Sequence, residues 1–564
     1  MTDHEDTRPF GDARDDERRA DGDARDDERR ADGDARDDGA RARAARPGGR
    51  GGGLRARWQR ASSGRRAGTA AAAGVVAVAL VVSAGLAAQP EYPEGAPADG
   101  LVVDELRSSP VAEGWRIEPT DLGVTDVQPG CLDLRVLARA GDDVLVLTTT
   151  QLGTATTGCF DRAARGDRIA RVDPRSGDVR WSTATSDVSD ASAPGQLGAW
   201  VDADASTAVV GTTATELGSD STTVALLDLA TGLVLERRVS AEGPVTVLEA
   251  DDDWVLVTTR AGGGGDRGTG FVDGPARTRV ATLSRDEIGR STWQADLGTV
   301  GRAGLVEGRV LVVTAGAASL VDPATGASRA WGEAWGRGTS SVVDDDLVFV
   351  DLQADGDDGF PVERIAYAAE GRELWRRGFA PDRPPAVVGG CVVFADEEAV
   401  TCVERDTGSE RWSAPTGSAD ESAPVVLAAA PGQRDGDVLV RTAVSVGRPD
   451  ESDGTGPRRE LLVLDASTGA LRSRLAAPLE AAPVAGSRTA LYLTTPDRIG
   501  LVGESLGGAV VAFDLADGRA LWQLTPGEGD AAGMRDLQFW GGTLVAVGDD
   551  GVVTQLVDDT RVVG

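Results

Sequence analysis

The sequence predicts an all-β fold, a β-propeller of about eight four-stranded blades (seven to nine), preceded by a disordered tail and one transmembrane helix. Three observations predict it. A frame of Asp, then Gly four residues on, then Trp four residues beyond recurs along the chain. Short apolar runs rich in Val and Leu lie between the copies. The two ends of the repeated region hold complementary fragments of one further unit.

The frame is clearest at Asp514-Leu515-Ala516-Asp517-Gly518-Arg519-Ala520-Leu521-Trp522, and a close copy runs from Asp173 through Gly177 to Trp181. Eight copies centre on Gly177, Gly232, Gly289, Gly326, Gly371, Gly408, Gly469 and Gly518, in steps of 55, 57, 37, 45, 37, 61 and 49 residues. That loose period is the length of a propeller blade. Four residues before each glycine stand Asp173, Asp228, Arg285, Asp322, Tyr367, Glu404, Asp465 and Asp514. Four residues after it stand Trp181, Glu236, Trp293, Ala330 (with Trp331 next door), Trp375, Trp412, Ser473 and Trp522.

Each position has a physical reading. A continuous apolar run such as Val510–Phe513 or Leu461–Leu464 fits a strand buried on both faces. The Asp that follows closes a turn by accepting nearby backbone hydrogen bonds, and glycine supplies the positive φ that the turn needs. Trp on the next strand fills the wedge between neighbouring sheets, its N–H requiring one partner. No unit of this kind buries both faces alone, so the copies must stack.

Between the copies run further strands: Val144–Leu147, Val310–Val313, Leu347–Val350 and Leu491–Leu493. At the start, Trp115–Glu118 is a Trp strand with no turn motif before it. At the end, Thr543–Val547 and Val552–Val557 form a hairpin with no Trp strand after it. Pairing the two fragments closes the ring and removes its exposed edges; counted as a blade of its own this closing unit would be a ninth, so the blade number stays open by one.

Ahead of the repeats, residues 1–66 read as a disordered, charged cytoplasmic tail. An 11-residue repeat, Gly11–Asp21, recurs as Gly22–Asp32 and begins again at Gly33, without an apolar face at any period. From Arg41 to Arg66 the tail is basic. Residues 67–88 then contain no charge and are long enough to span a bilayer. The arginines before this span place the N-terminus in the cytoplasm and make it a signal anchor. A cleaved signal peptide ending near Ser83-Ala84-Gly85 is the rival reading, opposed by the length of leader and apolar core. Residues 89–110, with four prolines, form an extended linker, and residues 111–564 form the propeller. The expected location is therefore the cytoplasmic membrane, single-pass, with the propeller extracytoplasmic.

Charge and composition exclude several functions. Net charge is −33, yet residues 1–66 carry 16 acidic and 17 basic side chains, so the acidic excess lies after them. Such a surface repels phosphates, and no nucleic acid is expected as a partner. The chain has neither Lys nor Asn, and its one histidine is His4. Histidine-based catalysis, His-ligated metals and lysine Schiff bases are thus closed to the propeller.

At the Asp-x-x-x-Gly-x-x-x-Trp repeats, over residues 111–564, the sequence resembles the quinoprotein-like (PQQ-like repeat) β-propellers. That family holds both pyrroloquinoline-quinone dehydrogenases and a lipoprotein scaffold of outer-membrane barrel assembly. The resemblance implies, for cofactor-using members, a calcium held by carboxylate and Asn side chains and a disulfide between adjacent cysteines. This chain has no Asn and no Cys-Cys pair, so no residue carries over, and it resembles the non-catalytic, membrane-anchored branch.

Other motifs reduce to simpler readings. The acidic runs Asp251–Asp253, Asp344–Asp346 and Asp355–Asp358 lack calcium-loop spacing and read as solvated turns. Gly262–Gly265 lacks the Lys-Ser/Thr of a phosphate loop, and Ser505, in Gly503-Glu504-Ser505-Leu506-Gly507, has no histidine partner. Four cysteines in an oxidising compartment favour two bridges. With Ala395 and Glu398 flanking a two-residue loop, Cys391 lies opposite Cys402, which leaves Cys131 with Cys159. No catalytic, cofactor-binding or metal residue is assigned and no cofactor is expected. The function expected is a non-catalytic scaffold binding an envelope protein or ligand on the propeller loops. The alternative is an extracytoplasmic quinoprotein-type oxidoreductase.

External protease added to intact cells is expected to remove the propeller and spare the tail, as read by antibodies to each part. A protected propeller would overturn the topology.

Overall fold

The computed structural model describes residues 104–558 apart from segments between elements, the longest being 151–166, 262–276 and 443–457. These residues belong to one compact unit, Ala73–Gly564, and none falls in the other, Met1–Ala72. The expected tail, membrane span and most of the linker lie outside the described residues. Among the described residues no helix is long and apolar enough to cross a membrane.

Nine four-stranded antiparallel sheets follow one another along the chain. Blades 1 to 8 run Leu132–Ala184, Leu197–Val239, Val245–Gly298, Arg302–Ala330, Gly338–Arg377, Ala386–Pro415, Val425–Pro478 and Ala482–Leu524. The ninth draws Met534–Trp540, Thr543–Gly548 and Val553–Val557 from the end of the chain and Ala112–Ile117 from the beginning. The fold is a β-propeller of nine blades, one more than the eight motif copies. The reason is local: the chain enters and leaves inside blade 9, so the turn that would carry a ninth Asp-Gly copy does not exist.

Closure is antiparallel, with Ala112 opposite Val557, Glu113 opposite Leu556, Arg116 opposite Thr554 and Ile117 opposite Val553. The ladder is bulged between Glu113 and Arg116, at the position of Trp115. Glu118, expected within this strand, already belongs to the following turn, where its N–H donates to Asp121 Oδ2 at 2.9 Å.

The third strand is buried on both faces at Val510–Asp514 and over most of Thr223–Asp228, which explains continuous apolar runs instead of alternation. Fourth strands alternate, as at Ala520–Leu524, with Trp522 inward and Gln523 outward. The core is accordingly distributed between sheets. Leu132, Val144 and Ala170 of blade 1 pack with Trp540, Val545 and Val553 of blade 9, and Val393 and Cys402 of blade 6 pack with Val438 and Leu462 of blade 7.

The expected linker ends earlier than the composition indicates. Leu106 is fully buried against blades 8 and 9, and Arg107 pairs with Asp514. Leu106 donates its N–H to Tyr492 Oη at 2.9 Å, and Tyr492 in turn donates to the Asp104 carbonyl at 3.1 Å. Burial pushes the Tyr492 hydroxyl up to about 12, so it stays a protonated donor.

Cys391 and Cys402 are disulfide-bonded, with Cα atoms 5.6 Å apart. The register differs from the expected one: Cys402 faces Val393 and Cys391 faces Glu404. The shift is two residues, and side chains alternate with period two, so both sulfurs remain on one face as a diagonal pair. Cys131 is also disulfide-bonded and no described cysteine is free; Cys159, its expected partner, lies outside the described residues.

Deleting residues 111–120 removes the fourth strand of blade 9 and exposes two sheet faces at once. The truncated protein is expected to melt in one transition at a clearly lower temperature than the parent, by calorimetry. An unchanged melting temperature would show that this strand does not hold the ring.

Candidate functional site: the cleft between the second and third blades

The repeated residues are consumed by contacts between blades. Asp173, Asp228, Asp322, Asp465 and Asp514 each accept a backbone N–H from inside their own turn, at 2.7–2.9 Å for the shortest. Where a blade carries the Trp, its ring lies against the turn of the next blade. Trp115, Trp181, Trp331, Trp375, Trp412 and Trp522 donate their indole N–H to the carbonyls of Pro174, Leu229, Ala369, Arg405, Ala466 and Leu106, over 2.7–3.0 Å. Leu106 in this series shows that the entering segment replaces the missing turn of blade 9.

The turn glycine is needed twice over. Gly232 has φ of 73°, and a Cβ there would lie 2.5 Å from the Trp181 ring. Gly177, Gly371, Gly408 and Gly469 meet Trp115, Trp331, Trp375 and Trp412 in the same way, and Gly326 lies against Trp293. In blade 5 the turn is one residue shorter than the frame implies. Ala368, and not Tyr367, takes the Asp position, donating to the Arg372 carbonyl at 3.0 Å. Tyr367 is instead buried on the strand beside Trp331.

Two junctions have no Trp. After blade 7, Ser473 is buried and the Arg474 backbone presses directly on Gly518, so the gap is closed by main chain. After blade 2 the arrangement changes altogether. Gly289 is not a turn glycine: Ser284 pairs with Glu287 around a tight Arg285-Asp286 turn, and Gly289 sits in the following strand. Glu236, in the Trp position, accepts the Gly289 N–H at 3.0 Å through Oε1.

Arg285 holds this junction instead. It is 3% exposed and donates to the Asp251 carbonyl of its own blade at 2.6 Å and, reaching back into blade 2, to the Trp200 carbonyl at 2.8 Å. Burial lowers its pKa, opposed by the nearby charges of Asp202, Asp252 and Asp251. The frame places Arg285 at the position of the turn Asp and gives it no role; an Arg where five of the other copies carry Asp was the available signal.

With no indole to fill it, the space beyond Glu236 is a cleft of about 250 Å³, lined by Arg238, Ser240 and Glu242 after the motif of blade 2 and by Thr259, Arg279 and Gln294 of blade 3. Arg279 is engaged by Glu242 at 2.5 Å and Asp296 at 3.1 Å. Arg238 donates to Ser291 Oγ at 2.8 Å and has no carboxylate within ion-pair distance among the described residues. Burial lowers its pKa, partly offset by Glu242, and the guanidinium stays charged at neutral pH. The cleft presents a half-buried cation and hydrogen-bond donors to an anionic group. Among the described residues that line it, no nucleophile is paired with a base.

The fit of the quinone–calcium chemistry is poor. Among the described residues no group of three or more His, Cys, Asp or Glu is placed to hold a metal, and the Cys391–Cys402 bridge joins cysteines 11 positions apart, not adjacent ones. Asp251 accepts the N–H groups of Asp253 and Trp254, and Asp252 that of Ala203, so this acidic run is a set of turn closures. Asp345, Asp346, 355–358 and 262–265 lie outside the described residues.

The family described as "Outer membrane protein assembly factor BamB" matches residues 362–559. The match runs from within blade 5 onward and agrees with the stacked sheets of blades 5 to 9. Residues 362–559 match the PQQ-like-repeat propellers, and the fold is a β-propeller. Among solved structures, this propeller is similar to BamB from Moraxella catarrhalis at 15% identity, covering 80% of this chain and 98% of that one with a TM-score of 0.32. A quinohemoprotein alcohol dehydrogenase from Pseudomonas putida is similar at 12% identity, covering 82% and 83% with a TM-score of 0.34. AztD from Citrobacter koseri is similar at 11% identity, covering 58% and 86% with a TM-score of 0.34. No curated protein sequence matches the chain.

The motif turns make the propeller acid-sensitive. Burial acts to raise the Asp465 carboxyl, but hydrogen bonds from Ser467 and Arg472 and the Arg472 charge outweigh it and hold it at about 2. A depressed folded pKa means stability fully present above the unfolded value and lost as pH falls from about 4 toward 2. Asp465→Asn is expected to flatten the urea-midpoint profile in that window relative to the parent. An unchanged profile would show that the turn carboxylate contributes nothing.

Proposed function

We propose that this protein is a non-catalytic binding scaffold, fixed to the cytoplasmic membrane by residues 67–88 with the propeller on the extracytoplasmic side. One observation carries the reading. The repeat is interrupted between blades 2 and 3, and the interruption opens a cleft in which Arg238 has no ion-pair partner and no catalytic pair stands among the described residues. A site of this kind recognises; it does not transform.

The location is supported by the arginine run before the apolar span and by the Cys391–Cys402 bridge, which suits an oxidising compartment. The scaffold role is supported by the absence of His, Lys and Asn from residues 5–564. The likeness to BamB agrees with a protein partner.

Purified protein incubated with pyrroloquinoline quinone and calcium is expected to show neither stoichiometric binding by absorbance and metal analysis nor alcohol oxidation. Either result, reproducibly positive, would replace this reading with the oxidoreductase one. Crosslinking in intact envelopes is expected to give discrete adducts of the full chain.

A further inference from the structure

The fourth strand of blade 2 differs from its counterparts in what it shows to solvent. Among the described residues the exposed large apolar side chains are Val111, Leu233, Leu235 and Val239, and the last three flank or belong to the strand Val234–Val239. Leu233 is 65% exposed, Leu235 55% and Val239 63%. The corresponding strands elsewhere expose charged or small residues: Glu373 and Arg376 in blade 5, Glu410, Arg411 and Ser413 in blade 6, Ala520 and Gln523 in blade 8. Charges on a sheet edge deter pairing with another chain, and three exposed apolar side chains on one edge, interrupted only by Arg237, invite it.

The strand is the last in its sheet and, among the described residues, is paired on one side only, with Thr223–Asp228. Its free edge offers backbone donors and acceptors at every second residue. Side chains alternate across it. Glu236 and Arg238 face blade 3, where they meet Gly289 and Ser291. Leu235, Arg237 and Val239 occupy the opposite face.

Charge selects the occupant. The chain carries a net −33, yet this strand contributes Arg237 and Arg238 against Glu236 alone. Arg237 is exposed between Leu235 and Val239, and Arg238 stands in the cleft without an ion-pair partner among the described residues.

We propose that the edge strand Val234–Val239 is a docking site that takes an extended segment of a partner protein as a fifth antiparallel or parallel strand of blade 2, the segment alternating apolar and acidic residues. Its apolar side chains cover Leu235 and Val239, and its carboxylates reach Arg238 across the cleft mouth. This deepens the scaffold reading and rests on it.

The experiment uses the full chain in detergent and a fluorescent probe peptide of about eight residues alternating Val and Glu, the length of one added strand. Binding is expected to be saturable and to slow amide exchange at residues 234–239. Leu235→Lys and, separately, Arg238→Gln are each expected to weaken it at least about tenfold, a loss of about 1.4 kcal/mol. A peptide alternating Val and Lys is expected not to bind. Both variants are checked for parental melting temperature; if Leu235→Lys melts early, Leu235→Ser with the same readouts replaces it. Binding unaffected by the variants, exchange slowed elsewhere, or no binding at all overturns the docking site. So does concentration-dependent self-association abolished by Leu235→Lys, which would make the occupant a second copy. Envelope crosslinks that persist in both variants leave the scaffold reading standing while refuting this edge, and crosslinks absent from the parent refute the scaffold reading itself.

Discussion

The propeller depends on an indole laid across the glycine of the next blade's turn. The contact does three things at once. It buries a large apolar side chain between two sheets that splay apart, it satisfies the indole N–H with a carbonyl, and it forces that turn to lack a Cβ. Removing such a ring costs about 3–5 kcal/mol, a large part of what holds any single domain folded. Because the donor lies in one blade and the acceptor in the next, no blade owns the interaction. Stability belongs to junctions, and the ring is as strong as its weakest one. That is why the two junctions without Trp need their own devices: main chain packed on Gly518 in one, the buried guanidinium of Arg285 in the other.

Much of this was legible in the sequence, because the contact demands three residue types at fixed spacing. Asp465, Gly469 and Trp412 announce one junction completely, although the Trp serves the glycine 57 positions further on and not its own. What spacing could not show was where turn length varies. Tyr367 stands in frame, yet the blade 5 turn is one residue shorter, and a period counted from glycine cannot see that. Gly289 stands in frame by accident, because Ser284 and Glu287 close a tighter turn before it. The Cys391–Cys402 pairing was found with a register two residues out, an error that an even shift forgives and an odd one would not.

The candidate site was hidden for a different reason. A cleft made by the absence of a side chain leaves no motif, only a missing letter at Glu236. Whether such a gap fills with backbone, as beside Ser473, or stays open, as beside Arg238, depends on how closely two sheets approach. In a repeat protein the copies explain the scaffold, and the departures from the repeat are where selection can act on anything else. Here the departure and the exposed apolar edge fall on the same blade.

The way the chain enters the ring has a mechanical consequence. Residues 104–110 supply the turn that blade 9 lacks, with Leu106 sealed under Trp522 and Arg107 clamped to Asp514. Any pull arriving along the chain from the N-terminal side meets this plug before it reaches the closing strand. Tension must extract a buried leucine and break an ion pair before it can begin to unzip Ala112–Ile117. The protein thus carries a strain relief at the point where its cable enters the housing. A cut upstream of Asp104 would leave the ring whole, whereas a cut a few residues later would unlatch it.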